Sequence, residues 1–286
     1  MSIAWLIFLG GCSDLPPTSH ENDAPVTVLA QSFDRATAGT IEGRVVWDGA
    51  APFAEETEVR VLAFNPNLWQ NHARFATPHI PQVHPSNQGV ENAVVFLRNV
   101  DPRRSKPWDH AKACIEFKDR LLRVQQGDRT SQVGFVQRGS TVEVVNRDTE
   151  YHNLRARGAA FFAMPLIDVN KTHERTLPQA GLVDLTCAAG YYWMHAHLFV
   201  VDHPYYARTD ADGRFVLDQV PAGTYEIVCW LPSWKIARQE RDPEIAVIAR
   251  FVWEAPKEQI RTVQVQAGRA GEITYRWERA AFDAVK

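Results

Sequence analysis

The 286-residue chain is short of the residues that announce many functions, with only 4 cysteines and 3 methionines. Beyond Cys12 the cysteines are Cys114, Cys187 and Cys229. That odd number excludes a full disulfide framework and leaves at least one thiol to explain. An excess of basic charge is lacking too: 31 Lys and Arg face 34 Asp and Glu, for a net charge of −3. This excludes the electrostatic footprint of a nucleic-acid binder. No apolar run approaches the roughly 20 residues of a membrane-spanning helix. There is no Gly-x-Ser-x-Gly elbow, no His-Glu-x-x-His pair and no phosphate-cradling glycine loop. His173-Glu174 lacks the second histidine of a zinc protease. With no nucleophile–base pair in view, the chain is expected to be non-enzymatic.

What is present is enough apolar material, 45% of residues, for one large core or two modest ones. The run Ile3–Gly11 ends Leu9-Gly10-Gly11-Cys12 and resembles a bacterial lipoprotein signal, although it lacks a positively charged leader. That resemblance implies residues 1–12 as signal, lipidation of Cys12, and export to the cell envelope, on the periplasmic side or the cell surface. Membrane contact would then be through the N-terminal lipid alone. Residues 13–38, with Pro16, Pro17, Ser19, Asn22 and Pro25 and no apolar period, read as a tether.

From there the chain reads as short strands with turn punctuation: Ile41–Gly49, Val59–Phe64, Ala93–Leu97, Ile115–Val124, Val133–Gln137, Thr141–Val145, Val183–Cys187, Met194–Val201, Arg214–Leu217, Thr224–Trp230, Thr262–Gln266 and Glu272–Trp277. Such a pattern predicts an all-β sandwich or barrel class. Asn65–Gly89, with four prolines, is expected to be largely irregular. Ile236–Arg250 hints at a helix or a long loop.

The stretch Val142–His197 carries the chemistry. His152 is delivered by one strand, Cys187 follows 35 residues later (187 − 152), and Met194 comes after it. Imidazole, thiolate and thioether suit copper. Gly139 to Val142, the turn Asn146-Arg147-Asp148, the pair His152-Asn153, and Cys187 followed by Trp193, Met194 and Leu198–Val201 resemble the cupredoxins, especially the amicyanin and plastocyanin group. The resemblance covers residues 112–201. It implies a Greek-key sandwich, His152 donating Nδ1 to copper, and an Asn153 side chain that ties two loops. The ligand set departs from the family: Gly190 stands where a second histidine belongs, and Met194 comes one residue late. On alternation, Met194, Ala196, Leu198 and Val200 share one face while His195, His197 and Phe199 share the other. His195 and His197 could chelate a metal of their own, but the preferred reading is of two half-exposed polar residues. Cys187 has three readings, a copper thiolate, a small buried hydrophobe, or half a disulfide with Cys114 or Cys229, and a structural role is preferred to copper ligation.

A second resemblance surrounds the first. Ala207–Val228 spells an Asp-Gly hairpin, a Pro-Ala-Gly turn and a strand, and is similar to carboxypeptidase regulatory-like domains, which are transthyretin-type β-sandwiches. Gly43–Gly49, Asn92–Leu97, Val263–Gly268 and Ile273–Trp277 supply its other strands. The organisation implied is all-β with two sandwiches: residues 39–104 plus 202–279 form the discontinuous outer one, and a cupredoxin-like domain, 105–201, is inserted into it. Asp210-x-Asp212-Gly213 is read as a tight turn, not a calcium loop. His72, His79 and His84 in the Pro-rich segment are read as solvated. Tyr191, Tyr192, Trp193, Trp230 and Trp234 are read as packing rather than as a sugar-stacking platform.

Two functional readings follow. In one, the chain is an envelope lipoprotein with an incomplete copper site and no resident cofactor, binding a protein or glycan partner. In the other, it is a copper-binding electron carrier using His152, Cys187 and Met194, with His195, His197 or a water completing the set.

Overall fold

The computed structural model describes residues 32–53, 77–241 and 248–283, together with the backbone of 57–60 and 72–75. The expected signal ending at Cys12, most of the tether, and the end of the Val59–Phe64 run lie outside the described residues. What is described is built from β-strands, with three short 3₁₀ turns.

Residues 113–201 form two five-stranded sheets. One runs Phe162–Leu166, His152–Gly158, Gly181–Cys187, His195–Val201, Val133–Gln137, with the last two strands parallel. The other runs Thr172–Thr176, Thr141–Asn146, Ala113–Lys118, Leu121–Gln126, Arg129–Ser131. Strand alternation sends Ile115, Phe117, Val142, Val144, Leu154, Ala156, Val183, Leu185, Ala196 and Leu198 into the core between them. Strands from both ends of the chain form two further sheets. Ala38–Trp47 lies between Arg214–Pro221 and Ala270–Trp277, and Val94–Arg98 lies between Tyr206–Arg208 and Gly223–Leu231, with Lys257–Val265 beyond. Their shared core holds Ile41, Val45, Trp47, Val95, Leu97, Ile227, Cys229, Tyr275 and Trp277. Among the described residues, no ladder joins a strand of 113–201 to a strand outside it.

A third apolar layer binds the two pairs of sheets. Val94, Phe96, Val228 and Trp230 from one side meet Val133, Phe135, Phe199 and Val201 from the other. This explains the continuously apolar runs Val94–Leu97 and Leu198–Val201: strands covered on both faces have no solvent side to make polar. Reciprocal arginines reinforce the junction. Arg208 Nη1 donates to Ser131 Oγ and the Val133 carbonyl, both at 2.8 Å, and Arg129 donates to the carbonyls of Arg208 and Thr209.

Several expectations are revised. Ile115–Val124 is not one strand but a hairpin, Ala113–Lys118 and Leu121–Gln126. Asp119 and Arg120 turn the corner at φ of 55° and 57°, the two left-handed residues of a type I′ turn. The Asp148 carboxylate accepts from both their amides, at 2.7 and 3.1 Å. Ile236–Arg250 is neither helix nor long loop at its described ends: Ile236–Arg241 pairs antiparallel with Ile248–Trp253, where Phe251 joins the core of the 113–201 sheets. Tertiary packing has overridden the helical preference of a charged segment. The Pro-rich segment contains strand as well, His72–Phe75 against Thr57–Arg60 and Gln82–Val83 against Val90–Glu91. Asp210–Gly213 is a turn: Asp210 Oδ1 accepts from the amides of Asp212 and Arg214. A Cβ at Gly213 would stand 2.2 Å from the Val45 carbonyl. Cys114, Cys187 and Cys229 are free thiols, which removes the disulfide option for Cys187. The aromatic residues are packed: Trp230 in the junction, Trp234 against Trp47 and Phe282, and Tyr192 and Trp193 in the core of the 113–201 sheets.

Candidate metal centre

The expected copper position brings two donors together. His152 opens its strand fully buried, stacked on Phe117 at 4.7 Å with Tyr191 at 5.0 Å. Its Nε2 faces Asp148 Oδ2 at 3.0 Å and its Nδ1 faces Cys187 Sγ at 3.6 Å. Burial pushes His152 below its ordinary pKa against the pull of Asp148. Burial also pushes the Cys187 thiol up, against three backbone hydrogen bonds, so at neutral pH the sulfur keeps its proton. Met194 is buried in the same core. Gly190 sits at φ of 89°, left-handed backbone that a side-chain-bearing residue adopts only with strain. The second imidazole is thus missing where the backbone itself disfavours one. Loop-tying falls to Asn146, whose Nδ2 donates to the carbonyls of Glu150 and Leu166. Asn153 ties through its backbone carbonyl, which accepts from Ala188 at 2.8 Å, while its side-chain oxygen is buried with no partner. A trigonal blue-copper set needs two imidazoles and a thiolate, and these residues do not supply it.

A different group does converge. His79, His195 and His197 are 5%, 7% and 4% exposed, and their ligand atoms lie within 4.8 Å of one another. Among the described residues this is the one cluster of three or more His, Cys, Asp or Glu side chains with metal-ligand spacing. His195 and His197 share the face of their strand opposite the core, as alternation requires, but that face is not solvent. Trp230 packs on His197 at 5.1 Å, and Trp253 lies over His195 at 6.1 Å with planes 9° apart. The half-exposed reading of the His-x-His pair is therefore corrected by burial under neighbouring segments. So is the solvated reading of His79, which arrives from the Pro78–Pro81 stretch.

Cross-strand register builds the support. Asp184 lies directly opposite His197 on the neighbouring strand and Thr186 opposite His195, with Arg157 opposite Asp184 on the next. Asp184 Oδ1 stands 3.3 Å from His197 Nε2 and 3.8 Å from His195 Nε2. Burial pushes the Asp184 carboxyl up, but the His195 hydrogen bond and the nearby His197, His195 and Arg157 leave it below its ordinary range. With their Nε2 atoms turned to a carboxylate, His195 and His197 keep Nδ1 for the interior. His195 Nδ1 stands 2.5 Å from His79 Nε2, a hydrogen-bond separation in which one ring carries the shared proton, and a metal of ordinary bond length to nitrogen would displace that proton and part the two atoms. His197 Nδ1 is buried with no hydrogen-bond partner. Imidazoles oriented by an outer carboxylate are the usual form of metal-ligating histidine. Burial, then the charges of His195 and His197, hold His79 well below its ordinary pKa. His197 is lowered to about 3 by burial and His195, against Asp184. Both therefore remain in the neutral, ligating form at pH 7.

The His-x-His spacing was visible in sequence. His79, 116 residues before His195, was not: only its place in a histidine-bearing Pro-rich segment hinted at it. Asp184 is one polar residue in an alternating strand and gave no signal.

By fold and site the described residues are all-β, with residues 113–201 forming two five-stranded sheets and with three buried histidines that could hold a metal ion. Among solved structures, a purple cupredoxin from Nitrosopumilus maritimus is similar at 17% identity and a TM-score of 0.25, over 32% of this chain and 99% of its own. A Cu(I) form of an amicyanin variant is similar at 17% identity and a TM-score of 0.26, over 37% of this chain and 98% of its own. A reduced amicyanin variant follows at 19% identity and a TM-score of 0.25, covering 32% and 82%. No protein-family model and no curated protein sequence matches. Likenesses of this size assign no ligand to the chain.

Proposed function

We propose that this chain is an exported metal-binding protein, non-enzymatic and anchored by a lipid on Cys12, whose metal is copper held by His79, His195 and His197. The observation that carries it is the convergence of three buried imidazoles within 4.8 Å, backed by a carboxylate 3.3 Å from one outer nitrogen. Imidazole suits copper, zinc, iron and nickel, and of the divalent first-row ions copper binds such a site most tightly. Electron transfer through His152, Cys187 and Met194 is the weaker reading, because Gly190 leaves that set an imidazole short. The outer strands are proposed as a carboxypeptidase regulatory-like sandwich, 39–104 plus 202–279, into which 105–201 is inserted. Among the described residues, the closure of every ladder within one set or the other supports this. Gly10-Gly11-Cys12 supports export to the envelope, where a protein or glycan would be the partner.

The test is equilibrium dialysis of the full chain against Cu(II), with metal counted by mass spectrometry. One copper per chain is expected, lost in His195→Ala and His197→Ala and kept in Cys187→Ala. No retained copper, or loss in Cys187→Ala alone, would overturn the assignment.

A further inference from the structure

We infer that a metal held by the three histidines keeps a coordination position open, and fills it with a small oxygen ligand, a water or a monovalent oxyanion, that accepts a hydrogen bond from Trp253 Nε1. The inference rests on the metal-binding reading above and deepens it.

Ligand count comes first. The protein offers three nitrogens, and Asp184, the nearest carboxylate, is engaged with the outer Nε2 atoms of His195 and His197. Divalent first-row metals take at least four donors, and three protein ligands with an exchangeable fourth is the pattern of open sites. Space comes second. The histidines line a cavity of about 210 Å³ that Trp253 also lines, ample for a water or a few-atom anion.

The third observation is independent of the metal. Trp253 Nε1 is buried with no hydrogen-bond partner, and indole is a donor only. Buried donors in native proteins are almost always satisfied, so this one is left for an acceptor that the protein does not provide. Trp253 stands edge-on to His79 at 5.5 Å and parallel to His195 at 6.1 Å, which puts its ring against two of the proposed ligands. Trp253 and His197 both line the cavity, and each carries a buried nitrogen without a partner, Trp253 Nε1 and His197 Nδ1. A metal takes the second, and its exogenous ligand takes the first.

Charge selects the ligand's sign. Arg157 and Arg250 line the cavity, as do Asp184 and Glu254. Arg250 is also paired with Glu240 at 2.9 Å, so these side chains sum to one negative charge, and with three neutral imidazoles one unit of a divalent ion's charge is left for a monovalent anion to offset. The hydroxyls of Thr186 and Ser233, also in the lining, offer further hydrogen bonds to oxygen.

The experiment uses the full chain loaded with one equivalent of Cu(II), formate as the probe anion, and electron paramagnetic resonance as the readout. The copper spectrum should shift saturably with formate. Trp253→Phe, which keeps an aromatic ring and removes the donor, should weaken formate binding by roughly 3- to 10-fold, the worth of one hydrogen bond, with one copper per chain still retained. Arg157→Gln should weaken formate in the same direction and, lying at a half-buried position, keeps the test available if Trp253→Phe does not fold. One copper per chain with a spectrum indifferent to formate, and no exchangeable water proton coupled to the copper, would mean a closed site and overturn this inference while leaving the metal reading standing. Formate binding that both variants leave unchanged would overturn it also. Failure of the wild-type chain to retain copper would sink the metal reading and this inference with it.

Discussion

Gly190 shows how one backbone angle can decide a ligand set. Its φ of 89° makes any side chain there costly, so Gly190→Ala is expected to destabilise the fold by about 1–2 kcal/mol, read from the urea midpoint. Gly190→His is expected to lose stability without producing an intense Cu–thiolate band; the appearance of that band would contradict the strain argument. At this scale the sequence was readable in part. The missing imidazole was evident by counting from Cys187, and the shared face of His195 and His197 followed from alternation. Their burial was not readable, because it depends on Trp230, Trp253 and His79, all distant in the chain.

Strands and their register explain what single residues could not. Asp184 matters because antiparallel pairing sets it opposite His197, on a ladder that no local pattern reveals. Asp184→Ala is expected to weaken copper binding by about 10–100-fold, the usual cost of removing an outer-sphere partner, without abolishing it. Competition with a chelator of known affinity would measure this, and unchanged affinity would argue that the carboxylate is incidental. The misread elements share a cause. Ile115–Val124 reads as one strand in sequence because its I′ corner uses Asp119 and Arg120 rather than the usual Asn-Gly, with Asp148 stabilising the amides. Ile236–Arg241 carries a charged, helix-compatible sequence and becomes a strand because its partner strand inserts Phe251 into the core. In both cases a contact distant in sequence outweighs local preference.

Among the described residues, four larger sheets and three two-stranded ones surround three apolar layers, and the strand-rich class was legible from turn-punctuated runs alone. The junction layer was not, although Val94–Leu97 and Leu198–Val201 carried its signature in their lack of a polar face. Trp230→Ala, which would leave a hole beside Phe199 at the junction, is expected to cost about 3–5 kcal/mol by denaturant unfolding. Buried histidines set the acid behaviour. His79, His110, His152, His197 and His203 are all lowered, chiefly by burial, with His203 at about 4 and His197 at about 3. The unfolded chain therefore takes up protons first, near the ordinary histidine value of about 6.5. Stability is complete above that value and drains as pH falls toward the folded values. Nearby Asp148, Asp184 and Asp202 oppose the shift without cancelling it. Urea midpoints of the metal-free protein should decline already between pH 7 and 5, above the carboxylate range; a flat profile there would show that these histidines are not held neutral.

The central claim is that metal belongs to His79, His195 and His197 and not to the cupredoxin position. X-ray absorption at the copper edge of the loaded full chain tests it most directly. Three imidazole nitrogens with a light-atom fourth neighbour and no sulfur scatterer is the expected result; a short copper–sulfur distance would place the ion on Cys187 and contradict the account.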